Sequence, residues 1–365
     1  MTSKVRHDWT KEEIIAIYNK PVMELLYEAA SVHRAHHDPN TVQVSTLLSI
    51  KTGGCPEDCG YCPQAARYHT DIEGNDLMTV QQVKAQALRA KSSGSSRVCM
   101  GAAWRNVKDG PEFDQVLEMV RTINKLDMEV CCTLGMVTEN QAKRLAEAGL
   151  YAYNHNLDSS EEYYKEVIST RGFEDRLKTI DNVRKTNVTV CSGGIIGMGE
   201  STEDRAGMLV ALSTLKPQPE SVPINALVAV EGTPLEDQKP VSIWDMVRMV
   251  ATTRIVIPET QVRLSAGRTQ MSQEGQALCF FAGANSIFAG DKLLTTPNPD
   301  VNEDMKLFDM LGLNPQKPFI KKMQPETVEA IDSKYTSMGE KPKWTRPEHK
   351  IERNEAAKEK AKALK

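Results

Sequence analysis

Three cysteines lie close together near the start of the chain. They are Cys55, Cys59 and Cys62, in a C-x₃-C-x₂-C arrangement that follows two glycines. Three thiolates on one short loop can hold three irons of a [4Fe–4S] cluster, whereas such clusters usually have four cysteine ligands. The spacing therefore predicts a cluster with one iron open to a substrate or a cofactor.

Zinc binding and simple packing are the alternatives for these cysteines. Structural zinc sites usually close four ligands with paired C-x₂-C units, and the sequence has neither a second pair nor a histidine at motif spacing. Buried cysteines can also serve as small apolar residues. That reading suits Cys132 and Cys279 better than the three clustered thiols.

Short strand-like segments alternate with longer helix-like segments from residue 44 onward. The predicted strands are Thr46–Thr52, Ser96–Gly101, Glu129–Leu134, Tyr151–Leu157, Asn187–Gly193, Val222–Val228, Gln261–Ala266 and Asn285–Ala289. The predicted helices between them include Val80–Ser92, Glu112–Leu126, Glu139–Ala148, Phe173–Lys185, Thr202–Leu215 and Ile243–Ile257. This alternation predicts an α/β fold, a TIM-type (β/α)₈ barrel, over residues 40–315. An open doubly wound sheet fits the same alternation, but no G-x-G-x-x-G follows the first strand.

Two extensions flank the predicted barrel. Residues 1–39 are expected to form an N-terminal helical extension, because Thr10 and Glu13 make a capping box and Pro21 divides an amphipathic run. Residues 316–365 are expected to form a partly disordered C-terminal extension. Its end is a charged tail of mixed sign, with nine Lys or Arg and five Glu between positions 340 and 365.

Composition and charge exclude some classes of protein. The net charge of −4 gives no general basic excess for nucleic-acid binding. The first residues lack the apolar core of a secretory signal, and no apolar run approaches the ~18 residues that span a bilayer. We therefore expect a cytoplasmic protein without nucleic-acid or membrane partners, whose eight cysteines are not disulfide-bonded.

Strand alternation brings a second set of reactive side chains together. Successive side chains point to opposite faces of a strand, and the outer face of a barrel should be apolar. By this test, four reactive side chains from four strands are predicted to face the barrel interior: Cys99, Cys131, Cys191 and Arg263. A barrel lumen is ordinarily packed with branched aliphatic residues, so three thiols and a cation indicate a second metal site. Cys132 is the other thiol that the sequence offers, and alternation favours Cys131.

Polar residues and glycines follow the predicted fourth and fifth strands. Asn154, Asn156 and Asp158 alternate on one face, where they form either a binding set or a satisfied polar layer. Gly193 and Gly194 could let backbone amides approach a ligand, although a plain turn is the commoner reading of such a pair.

The cysteine loop, with Tyr61 before its third cysteine, resembles the signature of the radical S-adenosylmethionine superfamily. Longer motifs resemble the biotin synthase family over about residues 10–315. These motifs are Val44–Gly53, Cys55–Gln64, Cys99–Trp104, Tyr153–Asp158, Val190–Gly194, Ser221–Asn225 and Val262–Arg268.

The resemblance implies both the cofactors and the reaction. The open iron of the [4Fe–4S] cluster would bind S-adenosylmethionine, and one-electron reduction would release a 5′-deoxyadenosyl radical. The inward Cys99, Cys131, Cys191 and Arg263 match the positions that hold a [2Fe–2S] cluster. Dethiobiotin would lose hydrogen to the radical, and a bridging sulfide would become the sulfur of biotin.

Individual contacts are implied in the same way. S-adenosylmethionine would be contacted by Tyr61 at the adenine, Asn156 and Asp158 at the ribose, Arg176 at the methionine carboxylate, and the segment beginning at Gly193 and Gly194. The ureido ring of dethiobiotin would be surrounded by Asn154, Asn156 and Asn225, since an amide both donates and accepts.

The resemblance also implies partners. Family members are typically homodimers that need an electron donor such as flavodoxin or ferredoxin, together with iron–sulfur assembly proteins. Two other functions stay open: a different radical enzyme, of the lipoyl synthase or thiazole-forming kind, and a non-enzymatic iron–sulfur carrier. A lipoyl synthase would carry a second clustered cysteine motif, and a carrier would need neither a large barrel nor the asparagine set.

Overall fold

Eight parallel strands pair in a closed ring. The computed structural model of the protein describes residues 5–290, 293–318 and 343–344. The strands are β1 (Thr41–Lys51), β2 (Gly74–Asn75), β3 (Arg97–Ala102), β4 (Glu129–Thr133), β5 (Ala152–Asn154), β6 (Thr189–Cys191), β7 (Gly194–Ile196), β8 (Ser221–Ala226), β9 (Gln261–Leu264), β10 (Ser286–Ala289), β11 (Asn314–Pro315) and β12 (Lys343–Trp344). The ring runs β1, β3, β4, β5, β6, β8, β9, β10, and β10 pairs with β1, where Val44 lies opposite Ile287. The predicted TIM-type barrel is confirmed.

Helices connect the strands and cover the outside of the ring. They are α1 (Lys11–Tyr18), α2 (Val22–His36), α3 (Val80–Ser92), α4 (Pro111–Asn124), α5 (Glu139–Glu147), α6 (Glu161–Val167), α7 (Phe173–Arg184), α8 (Thr202–Ser213), α9 (Ile243–Val256), α10 (Gln273–Phe281) and α11 (Val301–Leu311). Each helix predicted between strands begins within one residue of its observed start. None of the helices in the described ranges combines the length and apolar character that crossing a bilayer requires.

The two N-terminal helices pack against the outside of the ring, on α8 and α9. The predicted capping box forms at α1, where the Thr10 hydroxyl accepts from the Glu13 amide and the Glu13 carboxylate accepts from the Thr10 amide. Pro21 separates α1 from α2, as its fixed φ and missing N–H predict. Arg248 of α9 donates to the Tyr18 carbonyl at 2.6 Å, which satisfies one backbone acceptor at the end of α1.

Two short strands near the C-terminus make further pairs, β11 with the barrel sheet and β12 in a separate two-stranded sheet. Thr41 of β1 lies opposite Asn314 of β11 in a parallel pair, and Lys343 of β12 lies opposite Asn75 of β2 in an antiparallel pair. The predicted disorder of residues 316–365 falls mostly outside the described residues.

Side chains of the ring strands alternate between two cores. Val98, Met100 and Cys132 pack in the large core between the strands and the helices. Cys99 and Cys131 belong to a smaller cluster inside the ring. The other buried members of that cluster are Ala152, Phe288 and Leu293. Alternation therefore turns Cys131 inward and Cys132 outward.

The fifth position of the ring is interrupted, in contrast to the single strand predicted over 187–193. β6 ends at Cys191 and β7 begins at Gly194, and both pair with β8. A Cβ atom on Gly193 would lie 2.1 Å from the carbonyl oxygen of Pro223 in β8. The chain therefore passes β8 too closely at this break for any residue with a side chain.

Candidate active site

The three clustered cysteines occupy the loop that leaves the C-terminal end of β1. Gly53 and Gly54 precede them with φ of 78° and 72°, a left-handed conformation that favours glycine. The Cys55 amide donates to the Gln64 carbonyl at 3.0 Å, and the Cys62 amide donates to the Cys59 carbonyl at 2.9 Å. The loop thus folds back on itself, and none of its three thiols is in a disulfide.

A buried carboxylate fastens this loop to the segment before α7. Asp58 accepts from the Ser169 amide at 2.9 Å and the Ser169 hydroxyl at 2.7 Å. It also accepts from the Thr170 amide at 3.1 Å and the Thr170 hydroxyl at 2.9 Å. The Tyr68 hydroxyl donates to the Asp58 carbonyl at 2.5 Å. Four bonds to one side chain hold the cysteine loop in a single conformation.

The donor chemistry of the loop suits an iron–sulfur cluster. Burial raises the pKa of Cys55 and Cys59, and burial followed by the charges of Cys59 and Cys55 raises that of Cys62. Thiolates so close together require bound cationic metal to stay ionised. Within the described ranges no three His, Cys, Asp or Glu side chains converge on one metal-ion position. A cluster differs from a single ion because its ligands are spread around several irons.

The inward cysteines meet in the lumen of the ring. Cys99 and Cys131 are opposite each other on β3 and β4. A hydrogen bond from Cys131 lowers the pKa of Cys99 to about 7, with further lowering from the charges of Arg263 and Arg97. Cys191 lies across the lumen, with its Sγ 3.8 Å from Nη1 of Arg263. The structure therefore brings these three thiols and this arginine into one enclosed space.

Arg263 is a buried cation held by neutral groups. Its Nε donates to the Ser286 hydroxyl at 2.8 Å, and its Nη2 donates to the amide oxygen of Gln43 at 2.8 Å. The guanidinium also lies over the Phe288 ring, 4.7 Å from the centroid. Among the described residues no carboxylate forms an ion pair with it. A buried charge without a counter-ion is costly. The environment of Arg263 therefore suits an anionic group in the lumen, such as a thiolate-bound cluster.

A second buried arginine, which sequence reasoning missed, is the first residue of β3, at the end of the strands opposite the mouth. Arg97 donates to Glu129 at 2.7 Å and to Glu220 at 2.9 Å. Burial opposes its charge, but Glu220 and Glu129 outweigh burial and raise the pKa of Arg97. The only early signal was its inward position on β3, two residues before Cys99.

Two of the residues expected to contact S-adenosylmethionine bond to each other. Arg176 on α7 donates from Nη2 to Asp158, and from Nε to the Tyr164 hydroxyl at 3.0 Å. Burial opposes the guanidinium charge, yet Asp158 outweighs it and raises the pKa of Arg176. Asp158 has φ of 69°, a left-handed conformation that is uncommon outside glycine. Burial, followed by the charges of Asp158 and Cys59, raises the pKa of Tyr61.

The asparagines stand at the C-terminal mouth of the ring and keep some exposure. Asn154 donates to the Thr133 hydroxyl at 3.1 Å, and Asn156 accepts from the Gly193 amide at 3.2 Å. Asn225 donates to the Gly194 carbonyl at 3.0 Å. The mouth is therefore lined by oriented amides.

The glycine pair has a packing role that the sequence did not reveal. A Cβ on Gly194 would lie 2.1 Å from the sulfur of Met208 and 2.6 Å from the carbonyl oxygen of Asp158. Gly193 is therefore needed for the close approach to β8, and Gly194 for the close approach to α8 and to the backbone of Asp158. That requirement explains the pair without any ligand.

Comparison with known proteins is consistent with this geometry. Residues 49–212 match the family model of the Radical SAM superfamily, and residues 223–314 match that of the Biotin and Thiamin Synthesis associated domain. The chain is 87% identical over 352 residues to a biotin synthase of Flavobacterium psychrophilum, covering 96% of this chain and 97% of that protein. It is 84% identical over 358 residues to a biotin synthase of Christiangramia forsetii, covering 98% and 99% of the two chains.

A solved structure supports the fold. Methylornithine synthase superimposes with a TM-score of 0.71 at 18% identity, covering 84% of this chain and 94% of that one. The two biotin synthases match this chain over nearly its full length. The chain therefore belongs to the biotin synthase family of radical S-adenosylmethionine enzymes.

Proposed function

We propose that this protein converts dethiobiotin to biotin by radical insertion of sulfur. The observation that carries the proposal is the presence of two separate thiol groups on one barrel. Cys55, Cys59 and Cys62 stand on the loop at the mouth, and Cys99, Cys131, Cys191 and Arg263 stand in the lumen below it. We assign the first group to a [4Fe–4S] cluster and the second to a [2Fe–2S] cluster.

When bound, the [4Fe–4S] cluster with S-adenosylmethionine supplies the radical that removes hydrogen, and the [2Fe–2S] cluster supplies the sulfur. The protein's own residues position the reactants and exclude water. Asp58 keeps the cysteine loop fixed through Ser169 and Thr170. In the lumen, the Arg263 guanidinium provides the cation that balances anionic sulfur.

The cofactor contacts are proposed from the pair at the mouth. Asp158 and Tyr164 engage Nη2 and Nε of Arg176. We assign the remaining Nη1 to the carboxylate of the methionine moiety, a charge-assisted contact. Asn156 and Asp158 are assigned to the ribose, Tyr61 to the adenine, and the backbone at Gly193 and Gly194 to the same cofactor.

Dethiobiotin is assigned to the asparagine set. Asn154, Asn156 and Asn225 each place an amide at the mouth, and we infer that this position lies between the two thiol groups. A cyclic urea both donates and accepts hydrogen bonds, which amides can match in both directions. This location would put the carbon to be activated between the source of the radical and the source of sulfur.

The proposal includes partners and organisation. In the cell, a donor of the flavodoxin or ferredoxin type would supply the electron, and iron–sulfur assembly proteins would load the clusters. We further propose a homodimer, a cytoplasmic location, and a division into residues 1–39, a barrel of 40–315, and 316–365. Eight unpaired cysteines support a reducing compartment.

The test uses anaerobically reconstituted full-length protein with dethiobiotin, dithionite and labelled S-adenosylmethionine. We expect biotin and 5′-deoxyadenosine from the unsubstituted chain. Cys59→Ala should abolish both products, while Cys191→Ala should abolish biotin more severely than 5′-deoxyadenosine. Normal biotin yield from Cys191→Ala would exclude the assignment of sulfur donor. Cofactor binding without either product would favour another radical enzyme, and no cofactor binding would favour a carrier.

A further inference from the structure

One buried tyrosine hydroxyl accepts hydrogen bonds from two arginines. Nε of Arg171 lies 3.3 Å from the Tyr164 hydroxyl, and Nε of Arg176 lies 3.0 Å from the same oxygen. Tyr164 itself is 2% exposed, so water does not replace these bonds. A phenolic oxygen has the capacity to accept both. One oxygen atom therefore holds both guanidinium groups.

Each arginine reaches a different part of the site. Nη2 of Arg171 lies 3.9 Å from Sγ of Cys59, and Nη1 lies 3.9 Å from the Glu57 carboxylate. Nη2 of Arg176 donates to Asp158, the residue that we assign to S-adenosylmethionine. The hydroxyl of Tyr164 is thus the shared contact between the cysteine loop and the cofactor residues.

The two arginines differ in the strength of their other contacts. Arg176 keeps a carboxylate partner of its own, whereas the contacts of Arg171 to Cys59 and Glu57 are both long. Two neighbouring cations repel each other, and a neutral oxygen between them offsets that repulsion. Burial raises the pKa of Tyr164, which keeps the hydroxyl protonated. Arg171 therefore depends on this oxygen more than Arg176 does.

The ring of Tyr164 is fixed independently of its hydroxyl. It packs edge-on against Phe173, with centroids 5.6 Å apart and an interplanar angle of 74°. It also lies 5.8 Å from the guanidinium carbon of Arg176. Removal of the oxygen alone should leave this packing in place.

We propose that Tyr164 is a positioning residue that couples the [4Fe–4S] site to the S-adenosylmethionine site through its hydroxyl. The inference rests on the proposed function. A cation beside Cys59 stabilises the extra negative charge of a reduced cluster and so raises its reduction potential. Tyr164 keeps Arg171 at that sulfur while it orients Arg176 toward the cofactor.

The test compares Tyr164→Phe with a matched control on the same helix. Tyr163 is half-buried, and its hydroxyl donates to the Met198 carbonyl at 3.0 Å, away from both arginines. In reconstituted full-length protein, Tyr164→Phe should lower the equilibrium constant for one-electron reduction of the [4Fe–4S] cluster about tenfold. For one electron this is a potential about 59 mV more negative. The Kd for S-adenosylmethionine should rise about threefold, because Arg176 retains Asp158. Tyr163→Phe should change neither quantity.

A double-mutant cycle identifies the route of the effect. Arg171→Met should also lower the potential, and adding Tyr164→Phe to it should lower the potential no further. Arg171→Met serves as the main test if Tyr164→Phe fails to fold, as judged by circular dichroism. An unchanged potential in Arg171→Met would then overturn the inference.

The remaining outcomes separate this inference from the proposed function. If Tyr164→Phe only lowers the melting temperature, with potential and Kd unchanged, its role is structural and the inference is wrong. If the unsubstituted chain loads no [4Fe–4S] cluster or does not bind S-adenosylmethionine, the proposed function fails and the inference fails with it.

Discussion

Nη1 of Arg263 lies 3.8 Å from Sγ of Cys191, inside the ring, and each residue is 1% exposed. The thiol comes from β6 and the guanidinium from β9, on opposite sides of the intervening β8. Because Gln43 and Ser286 fix the other sides of the guanidinium, its charge points toward the sulfur. The lumen is thus arranged to stabilise negative charge.

Adjacent cysteines on β4 provide a test of the lumen site. Cys131→Ala should remove the iron, the sulfide and the visible spectrum of the second cluster, because Cys131 faces the lumen beside Cys99. Cys132→Ala is the matched control, since Cys132 packs among the helices. It should retain both clusters and lose only about 1 kcal/mol of unfolding free energy through the small cavity. Loss of the second cluster from Cys132→Ala alone would reverse the assignment.

Gln43 should hold Arg263 in its orientation. The Gln43 amide oxygen accepts from Arg263 at 2.8 Å and from the Ser286 hydroxyl at 3.0 Å. Gln43→Leu leaves two buried donors short of a partner, so the free energy of unfolding should fall by about 1–3 kcal/mol. The iron-to-protein ratio of the second cluster should fall as well.

Gln141→Leu is the control for this prediction. Gln141 is equally buried and donates to the Val107 carbonyl at 3.1 Å, on the helix side of the barrel. It should lose comparable stability but retain the spectrum of the second cluster. Equal cluster loss in the two variants would mean that general destabilisation, and not the orientation of Arg263, explains the result.

Asp58 should hold the cysteine loop in place. Asp58→Asn replaces one acceptor oxygen by a donor and removes the charge, which weakens the four bonds to Ser169 and Thr170. We expect a loss of about 1–3 kcal/mol in unfolding free energy and faster loss of iron from the [4Fe–4S] cluster to a chelator. Asp204→Asn, which weakens the cap of α8, should lose stability without faster iron release. Identical chelation rates for Asp58→Asn and the unsubstituted chain would contradict the prediction.

Acid should destabilise the fold through His37. Burial, followed by the charge of Arg254, lowers the pKa of His37 from 6.5 to about 4. The unfolded chain therefore binds more protons between these values, and stability falls as the pH drops from about 6.5 toward 4. The contribution is roughly 1.4 kcal/mol per pH unit within that window.

The measurement is urea unfolding of the protein at pH 7 and pH 5.5, with and without His37→Gln. Glutamine can accept from Nη1 of Arg254, which lies 2.8 Å from Nε2 of His37, but it does not titrate. The variant should therefore lose less stability than the unsubstituted chain over this interval. Equal losses would show that His37 does not gain its proton on unfolding.

Much of the barrel could be predicted because its signals are local. The helices predicted between strands were long amphipathic segments, and their starts agree with the structure within a residue. α6 (Glu161–Val167) was missed because a seven-residue helix with only Tyr164 and Val167 buried gives little periodic signal. α10 and α11 were missed as well, in the region after β9.

The site could be predicted where one strand determines the direction of a side chain. The alternation of side chains along β4 was sufficient to predict that Cys131 faces the lumen and Cys132 faces the helices. The contact of Asp58 with Ser169 joins residues 111 positions apart, and nothing in either segment indicates the other. For the same reason Arg176 and Asp158 were each assigned to the cofactor, and their own pairing became visible only in the folded chain.

The seam between β10 and β1 has a consequence for the order of assembly. The cysteine loop is complete within residues 55–62, so a nascent or partly folded chain already carries all three of its thiols. The lumen group comes from β3, β4, β6 and β9, and the Gln43 and Ser286 that orient Arg263 meet across the seam itself. Such long-range contacts form late in folding. If the lumen holds the proposed second cluster, the residues that bind it come together only when the ring closes, whereas the three thiols of the loop are already adjacent in the chain.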